Sequence, residues 1–218
     1  METRHLKIVF VIDESGSMHG SNSDVIGGFN SYIDQQKQEN IGKITVSLWK
    51  FNENAKVVIS NKSAIDVAPL GPRDYLPGGS TALYDAVGKA ISRTDRELFE
   101  LPESERPDKI IMVIITDGME NASREYTSSA LKAAIRVHEV EMKWSFVFLG
   151  SDLDNFSDAD AMGINNRTYS SKEKMRDSFD SLSNSSCIYK RKSFKDENQF
   201  MEDLMSDLKE KGKKETEE

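Results

Sequence analysis

The chain has 218 residues, 37 acidic and 29 basic, for a net charge of −8, and one cysteine. That length fits one large domain, or a domain with an extension, and buries a substantial core without disulfides. The acidic balance argues against a general nucleic-acid surface, and a lone Cys187 excludes an intramolecular disulfide.

Residues 1–5 lead straight into a strand-like run, with no charged segment followed by a long apolar one. No apolar stretch approaches the roughly 20 residues of a membrane span. The expectation is a soluble cytoplasmic protein with no membrane contact. Lys190-Arg191-Lys192, the densest basic run, reads as a solvated loop or strand end.

Leu6 to Ile12 is nearly continuous and rich in β-branched residues, which predicts a strand covered on both faces. From Ser23 the period becomes helical, with Val25, Ile26, Phe29 and Ile33 on one face and Asp24 as the expected N-cap. Ile44–Trp49 and Val57–Ile59 are strands joined by a polar hairpin at Asn52-Glu53-Asn54. Residues 69–79 form a loop of prolines and glycines. Ser80-Thr81 then opens a helix with Leu83, Ala86, Val87, Ala90 and Ile91 inward. After a loop at 101–107, Ile110–Ile115 is the most apolar run and the expected central strand, ended by Thr116-Asp117-Gly118.

A helix follows at Thr127–Glu139, then a strand at Trp144–Leu149 and a short helix at Asp154–Met162 that stops at Gly163. Thr168-Tyr169 marks an edge strand, and Ser170–Glu173 has capping-box spacing before a helical stripe at Met175, Phe179 and Leu182. The last helix carries Phe200, Met201, Leu204 and Leu208. The predicted fold is α/β, a Rossmann-like doubly wound domain. Its central sheet is mostly parallel with one antiparallel edge hairpin, and helices cover both faces. The expected organisation is a domain over 5–185, a strand/helix extension over 186–208 packed on it, and a disordered polar tail over 209–218.

Three polar clusters stand where a strand gives way to a loop or a helix begins: Asp13, Ser15 and Ser17; Thr81 after Gly78-Gly79-Ser80; and Asp117. The carboxyl ends of parallel strands share one edge, so these loops converge there. Two carboxylates and three hydroxyls are hard oxygen donors that suit a hard divalent cation. Gly16 is expected to permit a tight turn, and Gly78-Gly79 a close approach.

Asp13-x-Ser15-x-Ser17, Gly-Gly-Ser-Thr81 and Thr-Asp117-Gly, in that order, resemble the von Willebrand factor A (vWA) domain with an intact metal-ion-dependent adhesion site (MIDAS). The resemblance covers roughly residues 5–185. Phe148-Leu149-Gly150 and Ala161-Met162-Gly163-Ile164 look like soluble bacterial and phage members. It implies one Mg²⁺, Mn²⁺ or Ca²⁺, with Mg²⁺ favoured. Ser15 and Ser17 would bind directly, Thr81 in the ligand-bound state, and Asp13 and Asp117 mainly through water. It further implies a protein partner that offers an Asp or Glu carboxylate, and an adaptor or regulatory subunit rather than an enzyme. An AAA+ ATPase or a stress-response component is the kind of partner expected. Met18, His19, Leu83, Tyr84, Met119 and Glu120 are the expected rim.

The rival readings are weaker. Taken singly, Ser15, Ser17 and Thr81 are ordinary turn and cap residues. A phosphatase using Asp13 as nucleophile needs a second aspartate where Ser15 stands. Neither a dinucleotide-type nor a Walker-type glycine pattern is present, and Gly78-x-Ser80-x-Ala82 lacks a triad to complete it. A metal that only stabilises the fold is the second alternative. Asp152, Asp154, Asp158 and Asp160 resemble a calcium loop, but Ser157 stands where the glycine is needed. His138 reads as a satisfied core histidine, Met112 and Met162 as core, and Cys187 as a small buried residue.

Overall fold

The computed structural model describes residues 4–39, 42–150, 156–169, 175–191 and 201–208. Six strands are β1 (His5–Asp13), β2 (Lys43–Phe51), β3 (Ala55–Ser63), β4 (Lys109–Thr116), β5 (Ser145–Gly150) and β6 (Arg167–Tyr169). They form one sheet in the order β3-β2-β1-β4-β5-β6. Every pairing is parallel except the β2–β3 hairpin at one edge. Helices α1 (Asn22–Gln38) and α5 (Met175–Arg191) pack on one face. Helices α2 (Leu83–Glu100), α3 (Ser128–Val140) and α4 (Phe156–Met162) pack on the other. A further helical stretch, α6, covers 201–208.

Strand alternation divides the core into two layers. Leu6, Ile8, Phe10 and Ile12 join the α1/α5 layer, while Val9 and Val11 join the α2/α3 layer. Phe10 meets Phe29 and Tyr32 of α1 edge-on at 5.5 and 5.3 Å. Each such buried side chain stabilises by about 1.5–3 kcal/mol relative to exposure, and this fixes α1 against β1. A strand buried on both faces shows the continuous apolar run read at Leu6–Ile12 and Ile110–Ile115.

Several boundaries differ from expectation. α1 starts at Asn22, one residue after Ser21, so Asp24 lies in its first turn and is not its cap. α2 begins at Leu83 after Ala82, so Thr81 lies outside the helix. Thr127 caps α3 by accepting from the Ala130 N–H at 3.2 Å.

The boundary drawn at 185 falls inside α5. The described part of the 186–208 extension is helical, with no strand. Tyr32 Oη donates to Ser186 Oγ at 3.4 Å, and Gln36 Nε2 to Ser183 Oγ at 2.7 Å, tying this stretch to α1. Tyr189, Leu204, Met205 and Leu208 are buried in the same layer as Phe10. The capping box at 170–173, the aspartates at 152 and 154, Phe200, the side chains at 190–192 and the tail at 209–218 lie outside the described residues.

Candidate metal centre

The order of the strands places the site. The chain runs outward from β1 to β3 on one side, then returns to β4 on the other side of β1, so β1 and β4 flank the switch point where open α/β sheets bind ligands. Asp13 is the last residue of β1 and Thr116 the last of β4. Asp13 Oδ2 accepts from Thr116 Oγ1 at 2.6 Å, and Oδ1 accepts from the Ser15 N–H at 2.7 Å. The chain then enters a 3-10 turn at Gly16–Met18, which brings Ser15 Oγ and Ser17 Oγ within 3.0 Å.

The 69–82 loop is stapled to this turn by its backbone. Gly16 N donates to Gly79 O at 3.0 Å and Gly78 N to Glu14 O at 2.9 Å. The Tyr75 hydroxyl donates to Asp13 O, and Glu14 Oε1 accepts from Lys50 Nζ at 2.7 Å and Leu76 N at 2.6 Å. Gly79 has φ +83°, a conformation that favours glycine, and a Cβ there would displace the end of the exposed Glu53 side chain. Gly16 is not in the left-handed region. What it contributes is an N–H and a close approach, with a Cβ position 3.4 Å from Gly79 O. The third loop is bound to the second: Thr81 N donates to Asn121 Oδ1 at 2.9 Å, and Thr81 O accepts from Asn121 N and Ala122 N at 3.0 and 3.1 Å.

These staples aim oxygens from two of the loops at one spot on the third. A Cβ placed on Gly118 would lie 2.8 Å from Ser17 Oγ, 2.9 Å from Thr81 Oγ1 and 3.3 Å from Asp13 Oδ2. Both carboxylate oxygens of Asp117 are buried. Burial pushes the Asp13 carboxyl up to about 6; hydrogen bonds from Thr116 and Ser15 oppose the rise, and the Asp117 charge adds to it. The arrangement therefore holds two acidic groups in a desolvated position with hydroxyls around them. A divalent cation offsets that repulsion, and an all-oxygen donor set suits Mg²⁺, Mn²⁺ or Ca²⁺. Among the described residues no group of three His, Cys, Asp or Glu side chains assembles to hold a metal. The oxygens gathered here are mostly hydroxyls.

The expected rim is half corrected. Met18 and Leu83 are fully buried, Met18 in the α1/α5 layer and Leu83 in the α2/α3 layer, and neither reaches solvent. Glu120 turns inward. Its carboxylate accepts from the N–H groups of Tyr84 (3.0 Å), Ala122 (3.0 Å) and Ser123 (2.7 Å), and from Ser123 Oγ (2.7 Å). Tyr84 is partly buried, and its hydroxyl donates to Asp158 Oδ1 at 2.9 Å. His19 is exposed, and Met119 is 55% exposed. Leu76, 65% exposed on the stapled loop, had not been singled out.

Thr116, Tyr75, Asn121 and Asp85 were also missed. Asp85 accepts from the N–H groups of Arg124, Glu125 and Tyr126 at 2.9, 2.9 and 2.8 Å and so closes the loop after Gly118. Burial alone would raise its pKa; the three backbone hydrogen bonds outweigh that and hold it low. Only Thr116, next to Asp117 at a strand end, had a sequence signal.

A family model for the von Willebrand factor type A domain matches residues 7–145. The chain belongs to the vWA family. The matched span carries all three loops of the site. Among curated proteins no sequence relative matches.

Solved structures share the vWA fold at low identity. The PilB minor pilin from Streptococcus sanguinis is 14% identical, with a TM-score of 0.60 over 87% of this chain and 63% of that one. The vWF domain of the type V pili tip protein Mfa5 from Porphyromonas gingivalis is 10% identical, with a TM-score of 0.63 over 88% and 98%. Proximal thread matrix protein 1 from the mussel byssus, with a zinc-occupied MIDAS motif, is 18% identical, with a TM-score of 0.54 over 85% and 46%. The chain thus spans less than two thirds of the pilin and about half of the byssus protein.

Proposed function

We propose that this vWA domain is a metal-dependent protein-binding module, a cytoplasmic adaptor or regulatory subunit rather than an enzyme. Asp13, Ser15, Ser17, Thr81 and Asp117 hold one divalent cation, Mg²⁺ first among Mg²⁺, Mn²⁺ and Ca²⁺. A partner's Asp or Glu docks on it. The observation that carries this reading is the convergence of Ser17 Oγ, Thr81 Oγ1 and Asp13 Oδ2 on the one position that Gly118 leaves open.

The chemistry a bound cation supplies is an electrophilic centre that accepts further oxygen ligands. The chain's own residues do the rest. Thr116 Oγ1 and the Ser15 N–H keep the Asp13 carboxylate turned towards the hydroxyls. The Gly16–Gly79 and Gly78–Glu14 bonds hold two of the loops in register, so little ordering is left to occur on binding. With most donors neutral, the ion keeps net positive charge towards a carboxylate. Leu76 and Met119 offer apolar surface beside it. Membership of a family that is typically one of interaction modules supports a binding role.

The test is capture of partners in Mg²⁺ against EDTA, with AAA+ ATPases and stress-response components examined first, beside Asp117→Asn as control. Partner retention that needs both Mg²⁺ and Asp117 supports the proposal. Metal-dependent turnover of a phosphoester would replace it with an enzyme. Metal-induced thermal stabilisation with metal-independent partner capture would reduce the ion to a structural role.

A further inference from the structure

The other end of the sheet carries a second surface. Ile110 and Trp144 sit at the amino ends of β4 and β5, and Thr116 at the carboxyl end of β4 is six residues on, about 20 Å away at 3.3 Å per residue. Around Ile110 and Trp144 the ends of α2 and α3 and the 101–107 loop enclose an open groove of about 670 Å³. Phe99 on its wall is 85% exposed and Met142 is 51% exposed, and Val140 beside Met142 is 60% exposed. An exposed phenylalanine grouped with other large apolar side chains marks an association surface rather than scattered surface apolarity.

The floor is rigid. His138 Nδ1 bonds Ala134 O at 2.7 Å, Nε2 bonds Asp95 Oδ1 at 3.0 Å, and its ring packs edge-on against Trp144 at 4.5 Å. Asp95 is therefore already engaged. Of the remaining charges, Arg106 Nε donates to Leu101 O at 3.3 Å. Arg96 and Arg106 line the groove, and Glu100 and Glu103 lie exposed on the same helix end and loop. Among the described residues none of these four forms an ion pair within the chain. An apolar centre flanked by charges of both signs that lack an ion-pair partner in the chain can meet its own copy across a two-fold axis. Phe, Trp, Met and Arg are also the residue types enriched in such interfaces.

We propose that two copies of this chain pair through this groove as a two-fold dimer. Phe99 and Met142 of each copy bury one another, and Arg96 and Arg106 of one copy face Glu100 and Glu103 of the other. Each copy keeps its metal edge at the far end, so the dimer presents two partner-binding sites and gains avidity for a multivalent partner. The pairing itself does not depend on the metal reading.

Sedimentation equilibrium of the full chain over a wide concentration range, in EDTA, tests it. The expected result is a concentration-dependent shift to twice the mass of one chain. Phe99→Glu stays monomeric with an unchanged circular dichroism spectrum. Arg96→Glu/Arg106→Glu and Glu100→Arg/Glu103→Arg each associate at least tenfold more weakly, and an equimolar mixture of the two recovers a dimer. A single-chain mass at every concentration overturns the proposal. So does a dimer that Phe99→Glu leaves intact, or a failure of the charge-reversed mixture to recover association.

Discussion

Asp85 in the first turn of α2, Glu120 on the loop after β4 and Asp158 in α4 are used differently from Asp13 and Asp117 at the ends of β1 and β4. Asp85 caps three backbone N–H groups, Glu120 three more and a hydroxyl, and Asp158 accepts from Glu120 N at 2.9 Å and the Tyr84 hydroxyl. Their lone pairs are committed to holding the 118–127 loop against α2. Asp13 takes two donors that orient it, and its Oδ2 still faces the position where Ser17 and Thr81 converge. Residue type is shared; the donors within reach separate a structural carboxylate from a ligand-facing one.

Substitutions test that separation. The largest effect belongs to Asp85→Ala, which leaves three N–H groups without their acceptor. Lost hydrogen bonds to a charged group cost about 1.5–3 kcal/mol each before relaxation, so a loss of at least about 3 kcal/mol is expected. A denaturant titration in EDTA measures it; a change below about 1 kcal/mol would show that the loop does not need this cap.

Next is Asp117→Asn, which removes one charge and little volume. Mg²⁺ affinity should fall about a hundredfold, equivalent to about 2.7 kcal/mol, with folding in EDTA unchanged or improved. Calorimetry reads the affinity, and wild-type Mg²⁺ binding in this variant would remove Asp117 from the site. Asp13→Ala is a poorer probe, because it also deprives Thr116 and Ser15 of their acceptor.

Gly118→Ala follows. Its Cβ would stand under 3.0 Å from Ser17 Oγ and Thr81 Oγ1, so the hydroxyls must shift. About tenfold weaker Mg²⁺ binding, roughly 1.4 kcal/mol, is expected by the same calorimetry. Equal affinity would mean that the ion does not use this convergence. The smallest effect is that of Tyr84→Phe, which deletes only the hydroxyl bonded to Asp158. About 1 kcal/mol of stability should be lost, with metal affinity intact in a parallel titration. A larger change in affinity than in stability would move Tyr84 into the binding surface.

Asp13 and Asp117 were legible as candidates because each stands where an apolar strand ends, and Thr81 because it follows a glycine-bearing loop. The rim was not, for a reason visible at Met18 and Leu83. Both adjoin motif residues in sequence, yet the 3-10 turn points Met18 into the α1/α5 layer, and the first turn of α2 points Leu83 into the other. An apolar residue beside a polar motif gains more from burial than from solvent. Glu120 misled in the opposite sense. A charged side chain on a loop reads as solvent-facing until the N–H groups it caps are folded around it. The boundary at 185, drawn where the family resemblance ends, falls inside α5. Ser183 and Ser186 in fact bond Gln36 and Tyr32 across α1 and α5.

By itself the sequence determined the alternation of strands and helices and the mostly parallel sheet with its edge hairpin, because these follow from local periodicity and from turn residues at strand ends. Only the tertiary structure decided which carboxylates are committed and which hydroxyls meet, and that Gly118 leaves the space they share. Those outcomes depend on N–H groups and close approaches supplied by loops 40 to 100 residues away, and no local pattern encodes them.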